Sequence, residues 1–395
     1  MPDNRFQPDL DRSRRVFATG LIDAVLAAVD PGIALRRHLD IKLFTSPTHI
    51  LAFGKASIPM ANAAIEALGN RFARATVLST PDLCAQAEFK SSFVELLPAT
   101  HPLPSAVSIA STNTLVEHAR SIPADHQALV LISGGGSSML CSPKPEVTLG
   151  DIIAITETLN RKGAPIETLN AERGKHETLK AGGLAKILTH TARTDAFVLS
   201  DVIGDDLRTI ASGPLIEAVP PSIPHTIIAS NTTALNALCA WVSHEHIDAV
   251  CVERSVTGSA SCAGQTLAQC LLDSTATPPI AGCLGGEPTV DAGSTQGIGG
   301  PMLELALAAA RELIGSPFRW TVITIATDGI DGLTDATGAI LTDDMLNAPS
   351  AAHLLDNALK EHNALPICDQ LGATIRTGAT GTNVNDIALV IRWED

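Results

Sequence analysis

Six short stretches of this 395-residue chain carry the residues able to do chemistry. They are Gly54-Lys55; Ser133-Gly134-Gly135-Gly136-Ser137-Ser138; Asp201 with Asp205 and Asp206; Gly285-Gly286-Glu287; Thr327-Asp328-Gly329-Ile330-Asp331-Gly332; and the run from Thr377 to Asp386, with Thr382, Asn383 and Asn385 inside it. Glycine, hydroxyl and carboxylate alternate, with one lysine. Backbone N–H groups and hydroxyls take phosphate oxygens, carboxylates take a hard cation, and lysine balances charge. The set suits a triphosphate held with Mg2+. Taken singly, each stretch reads as a turn or an Asx cap. His176 is a candidate general base, although a lone histidine is more often an ordinary hydrogen-bonding residue.

Two standard nucleotide loops can be tested and fail. A P-loop around Gly54-Lys55 needs glycine at 49 and Ser or Thr at 56, where His49 and Ala56 stand. The G-x-G-x-x-G dinucleotide fingerprint fails because Met139 takes the third glycine's place. Zinc spacings of Cys and His are also absent.

Alternating strands and helices must position these loops. Leu129–Ile132 is continuously apolar, as in a strand buried on both faces, and runs straight into the glycine loop. Further strands are expected at His49–Phe53, Ala75–Ser79, Phe93–Leu97, Ala196–Leu199 and Thr226–Ala229. Later ones are expected at Ala249–Val252, Ile280–Leu284, Thr321–Ala326 and Ile387–Ile391. Four-residue spacing predicts a helix over Arg14–Val29, stopped at Pro31-Gly32. Helices are also expected after Lys55, after a Ser105 cap, from a Thr148/Asp151 capping box, after an Asn231 cap, and over Gly258–Leu272, Pro301–Ile314 and Ser350–Leu359. Gly174–Leu188 is expected to bend. Most loops of interest follow strand C-termini, where open α/β sheets bind ligands. The expected fold is two α/β domains with mainly parallel sheets, residues 1–242 and 243–395.

A net charge of −15 argues against nucleic acid and against an anionic membrane as partners. The polar N-terminus is unlike a secretory signal, and no apolar run is long enough to cross a bilayer, so a cytoplasmic protein is expected. The eight cysteines form no C-x-x-C pair and are expected as free thiols.

Seven blocks in order resemble the glycerate 2-kinase family, whose C-terminal half is the MOFRL domain. They are Gly54-Lys55-Ala56, His101-Pro102-Leu103-Pro104, residues 131–138, 200–215, 285–290, 326–339 and 377–386. The resemblance implies a Rossmann-like N-terminal domain, a MOFRL domain, and an active site in the cleft joining them. Family members transfer the γ-phosphoryl of ATP to the 2-hydroxyl of D-glycerate, giving 2-phosphoglycerate. Some carry a hydroxypyruvate reductase label, which the failed dinucleotide fingerprint disfavours. A catalytically silent sensor of a nucleotide or sugar acid is a further reading.

On this resemblance, Ser133, Gly134, Gly135, Gly136, Ser137 and Ser138 cradle phosphate. Lys55 faces the transferred group or the acceptor's charge. Asp201, Glu287 and Asp328 hold Mg2+, and Asp201 is the first choice to orient the acceptor hydroxyl. Thr382, Asn383, Asn385 and Asp386 complete the nucleotide site. ATP, Mg2+ and a small hydroxy acid are the expected ligands, with a homodimer as the candidate assembly. Two family arginine blocks depart: Gly299-Gly300-Pro301-Met302 and Gly174-Lys175-His176 hold none. A guanidinium grips a carboxylate through two parallel hydrogen bonds, which Pro, Met and Gly cannot make. Either Arg173, Arg208, Arg254 or Arg376 fills in, or the acceptor is a larger or branched hydroxy acid.

Overall fold

The computed structural model describes residues 5, 12–161, 166–216 and 223–394. Of the polar N-terminal stretch read from the sequence, residues 1–4 and 6–11 lie outside them. The chain divides into two compact units: Asp30–Ser230, and Asn231–Asp395 together with the described part of Met1–Val29. The packing boundary falls at 230/231, where the sequence pattern suggested 242/243.

The first unit holds six strands: β1 Thr48–Phe53, β2 Phe72–Ser79, β3 Val94–Pro98, β4 Gln127–Ile132, β5 Arg193–Leu199 and β6 His225–Ala229. All pair in parallel, in the order β3-β2-β1-β4-β5-β6. Every residue of β1 and β4 is buried, which explains the apolar runs Ile50–Phe53 and Ala128–Ile132 that follow their polar first residues. The order reverses at the β1/β4 pair, so the crevice beyond Phe53 and Ile132 is the topological switch point. The apolar core is built on Leu51, Phe53, Leu115, Val130 and Leu184. The expected bend occurs: helix Ile166–His176 ends and a short helix, Gly183–Leu188, begins anew. Pro31-Gly32 does not simply stop the first helix, Arg12–Ala28. With Asp30 accepting from Ile33 N, it opens a second helix, Pro31–His38.

The second unit adds β7 Asp248–Ser259, β8 Ile280–Thr289, β9 Trp320–Ala326, β10 Gly338–Thr342, β11 Thr374–Ile375 and β12 Asp386–Arg392. The order is β11-β10-β9-β12-β8-β7. This sheet is mixed: β7 and β8 pair in parallel, the other neighbours antiparallel. The last strand enters in reverse between β8 and β9, which a run of apolar residues cannot announce. Helix Pro301–Leu313 lies almost wholly within the core with Leu267, Trp320 and Val390. Asn231 does not cap its helix in the expected way. Its Nδ2 donates to Val384 O and Asp386 O, tying helix Asn231–His244 to the start of β12. Helix Arg12–Ala28 belongs here too, with Phe17 edge-on to Trp241 at 4.5 Å and to Trp393 at 5.5 Å.

The expectation of free thiols fails at one pair. Cys251 on β7 and Cys270 on helix Ala260–Leu272 form a disulfide, because the strand and its following helix bring their Cα atoms to 6.6 Å. The other six cysteines are free. No single helix among the described residues is long and apolar enough to cross a membrane.

Candidate active site

In the first unit the loops after β1 and β4 are stitched together. Lys55 N donates to Gly134 O at 2.9 Å, and Ala56 N donates to Ser133 Oγ at 3.0 Å. Ser133 is buried and its oxygen is engaged, so it builds the loop. Asp201, beyond the end of β5, comes down on this loop. A Cβ at position 134 would lie 2.7 Å from Asp201 Cγ and collide with Oδ2, so only glycine admits the carboxylate there. Burial raises the Asp201 pKa, and the Lys55 charge pulls it back. Lys55, Gly134 and Asp201 therefore meet at the switch point. The helix after the loop is a single turn, Gly136–Met139, too short for the helix-terminus phosphate site that the motif suggested.

The other flank of the loop is cationic. His101 Nδ1 lies 3.2 Å from Ser138 Oγ. Its pKa is held down at about 4, first by burial and then by the charges of Lys55 and Arg173. Arg173 Nη1 donates to Ser137 Oγ at 2.8 Å. Lys180 is fully enclosed and donates from Nζ to Ser137 O at 2.6 Å and Leu140 O at 2.7 Å, with Glu177 Oε2 at 3.9 Å. The four arginines named from the sequence thus separate. Arg208 pairs with Asp206 near the surface, Arg254 bonds Asn236, and Arg376 pairs with Asp335 and Asp369. Of the four, Arg173 reaches the glycine loop. His176 sits 3.7 Å from Glu172 on its own helix, apart from these residues.

In the second unit, Asp386 opens β12 opposite Gly286 of β8 and Ala326 of β9, so Glu287 and Asp328 share its end of the sheet. The Asp386 pKa is raised well above the carboxylate range, first by burial and then by Asp331, Asp328 and Glu287. Asp328 Oδ1 accepts from Ile330 N at 3.0 Å. Asp331 is spent structurally: it accepts from Met302 N (2.9 Å) and Leu303 N (2.8 Å), capping the buried helix. Asn383 Oδ1 accepts from Asn385 N at 3.0 Å. Asn385 holds φ +63°, and its Oδ1 is buried without a hydrogen-bond partner.

Two expected ligand groups are structural here. The Thr382 hydroxyl donates to Val29 O at 2.8 Å. Gly285 and Gly286 lie inside β8, not in a loop after it. A Cβ at 285 would meet Asn231 Oδ1 at 2.5 Å, and one at 286 would meet the Val256 backbone carbon at 2.7 Å, so these glycines permit close packing. Among the described residues, no three His, Cys, Asp or Glu side chains form a ready metal shell.

Sequence reasoning missed Arg173 as a distinct choice, His101, Lys180 and Ser212 as site residues. His101 and Ser212 stand inside motif blocks already noted, which was the available signal.

Two family models match: the domain of unknown function DUF4147 over residues 17–234, and the MOFRL family over residues 280–386. A glycerate 2-kinase of Pyrococcus horikoshii is 27% identical, over 94% of this chain and 92% of that protein. An Agrobacterium vitis protein with a provisional hydroxypyruvate reductase name is 30% identical, over 96% and 95%. The crystal structure of a glycerate kinase from Thermotoga maritima matches with a TM-score of 0.87 at 28% identity, over 97% of this chain and 100% of that one. With a DUF4147 region ahead of a MOFRL region and relatives so named along nearly the whole chain, the chain belongs to the glycerate 2-kinase family.

Proposed function

We propose that this chain transfers the γ-phosphoryl group of ATP to a hydroxyl of a small hydroxy acid, with D-glycerate to 2-phosphoglycerate as the first candidate. The observation that carries the reading is the meeting of Lys55, Gly134 and Asp201 where the strand order reverses. The relatives' names support it. In the reaction the acceptor O–H bond breaks and an O–P bond forms. The bond from the γ-phosphorus to its bridging oxygen breaks, ADP leaves, and the proton passes to Asp201. A carboxylate whose pKa is raised by burial holds a proton better than an exposed one. Lys55 offsets charge on the transferred phosphoryl oxygens, and the backbone N–H groups of Gly134 and Gly135 supply donors to phosphate, whereas the Gly136 N–H and the Ser138 hydroxyl are spent within the loop on Ser133 O and Gly135 O.

Bound Mg2+ would supply positive charge against the phosphate oxygens, and Glu287, Asp328 and the Asn385 amide oxygen are the groups that would hold it. The donor set suits it. Glu287, Asp328 and Asp386 crowd like charges together, and the orphaned Asn385 Oδ1 is an acceptor in want of a positive partner. Mg2+ usually takes one or two carboxylates and completes its shell with water and substrate phosphate, so a closed protein cage is not required. Asp201, in the other unit, is assigned to the acceptor proton first and to the metal second.

The test incubates purified protein with Mg·ATP and a panel of hydroxy acids, with product position read by NMR. ADP formed in step with a phosphorylated hydroxy acid is expected, with no NADH oxidation on hydroxypyruvate. ATP left intact across the panel sinks the proposal.

A further inference from the structure

Arg173 is a half-buried guanidinium that makes no ion pair at contact distance, with Glu177 acting on it from further off. Among the described residues no carboxylate lies within ion-pairing distance of it, and its one hydrogen bond runs from Nη1 to Ser137 Oγ. Burial lowers its pKa, and the Glu177 charge pulls it part of the way back. Its direction is fixed from below. Ser212 Oγ donates to Asn170 Oδ1 at 2.7 Å, so the proton in the 2.6 Å contact of Ser137 and Ser212 must come from Ser137. Asn170 Nδ2 in turn donates to Thr209 O at 3.0 Å. The chain Arg173→Ser137→Ser212→Asn170→Thr209 is fully directed. It spends the Ser137 hydroxyl proton internally, leaving that oxygen to hold Arg173 in place and not to donate to phosphate.

The backbone beneath supplies a second, separate observation. Ala211 and Ser212 both adopt left-handed φ, at +51° and +63°, a strained state for non-glycine residues in succession. They are pinned there by Ala181 N donating to Ser212 O at 3.0 Å and Gly182 N donating to Gly213 O at 2.8 Å. Strain of this kind persists where neighbouring structure enforces it, and here it delivers one hydroxyl under Ser137.

We infer that Arg173 binds the carboxylate of the hydroxy-acid acceptor and thereby selects acids over neutral alcohols, with Ser137, Ser212 and Asn170 as its positioning residues. A guanidinium with its remaining N–H donors unspent offers the two parallel hydrogen bonds that a carboxylate accepts. The inference rests on the kinase reading for the identity of the ligand. A nucleotide phosphate is the competing anion of the same chemistry.

The test compares wild type with Arg173→Gln and Arg173→Lys, using steady-state kinetics for acceptor and ATP separately and calorimetric binding of each hydroxy acid without ATP. Arg173→Gln is expected to raise the acceptor KM about 10- to 100-fold, the range for losing a charged hydrogen-bonded contact, with the ATP KM within about twofold of wild type. Arg173→Lys keeps the charge but not the fork and should fall midway. Ser212→Ala should raise the acceptor KM by less, and leave kcat at saturating acceptor near wild type. A rise in the ATP KM with the acceptor KM unchanged assigns Arg173 to phosphate and overturns the inference. Wild-type protein that binds a hydroxy acid through Arg173 yet forms no phosphoester refutes the kinase reading and keeps the inference. Turnover indifferent to Arg173 does the reverse, and protein that neither binds nor phosphorylates any acid removes both.

Discussion

Gly134→Ala tests the geometry at the switch point with one added methyl group. The backbone at 134 is outside the left-handed region, so alanine meets no conformational penalty there. What it meets is Asp201, with Cγ 2.7 Å from the new carbon and Oδ2 closer still. The carboxylate must swing away. Restricting the unfolded chain gains about 0.4–1 kcal/mol, and moving Asp201 toward water relieves a buried charge, so stability should hold. Catalysis should not. Loss of a positioned proton acceptor lowers rates by about 10²- to 10⁴-fold, and a displaced Asp201 should put kcat in that range. ATP-dependent phosphorylation of the best acceptor gives the rate, and thermal unfolding gives the stability. The decisive comparison is a double-mutant cycle with Asp201→Ala. If the methyl acts through Asp201, adding Gly134→Ala to Asp201→Ala costs almost nothing more. A Gly134→Ala enzyme within about threefold of wild type, or two losses that simply multiply, refutes the assignment.

Three further outcomes follow from buried polar groups. Asp331→Ala strips the cap from helix Pro301–Leu313 and leaves two buried N–H groups unpaired, so urea unfolding should show a loss of about 2–3 kcal/mol. Lys180→Met leaves Glu177 buried without its cation and two carbonyls without a donor; a loss of about 3–5 kcal/mol is expected by the same measurement. At the opposite end of the first sheet from the glycine loop, Thr76, His118, His49 and His126 form a row of hydrogen bonds at 2.8, 2.9 and 3.0 Å. Burial is the main cause holding His118 down at about 3 and His49 at about 4, with the nearby Arg74 charge adding to it in both. Their native pKa values lie below the unfolded value of about 6.5, so the unfolded state binds the extra protons. Stability is therefore complete above about pH 6.5 and falls as pH drops toward 4, by up to about 1.4 kcal/mol per pH unit for each imidazole. Unfolding midpoints at pH 7 and 5 should differ accordingly, and a His49→Gln/His118→Gln variant should flatten the slope; an unchanged slope refutes the assignment.

The first sheet was legible because each of its strands leaves a local mark. An apolar run such as β4, buried on both faces, ends abruptly in glycine, and parallel neighbours need the helices that separate them in sequence. The second sheet was less so. Apolar runs disclose a strand but not its direction, so the reversed entry of β12 could not be read. The two-residue β11 was too short to register. Glycine misled at Gly285-Gly286, where it signals close packing inside β8 and not a ligand loop. Thr382 misled for a related reason: its partner, Val29 O, lies 353 positions away, and such a pairing leaves no local pattern. Arg173 could be narrowed to four arginines by type, but its selection depended on a hydrogen-bond chain through residues 137, 170 and 212, drawn from three separate segments.

The charge distribution gives such residues a use that offsets their cost. In the first unit Lys55 and Arg173 stand by the glycine loop with no carboxylate in ion-pairing range among the described residues, while their charges depress His101. In the second, burial first and then the charges of Asp331, Asp328 and Glu287 raise the Asp386 pKa well above the carboxylate range. A sequence selected for stability alone would pair or delete these charges, since a buried unpaired ion is unfavourable by several kcal/mol. The proposed transfer of a phosphoryl group to a hydroxy acid would bring anions to the cationic loop of the first unit. The strain at Ala211-Ser212 fits the same account, because it is spent on aiming a guanidinium and not on burying apolar surface. The predicted losses accordingly separate by site: activity at Gly134 and Arg173, stability at Asp331 and Lys180.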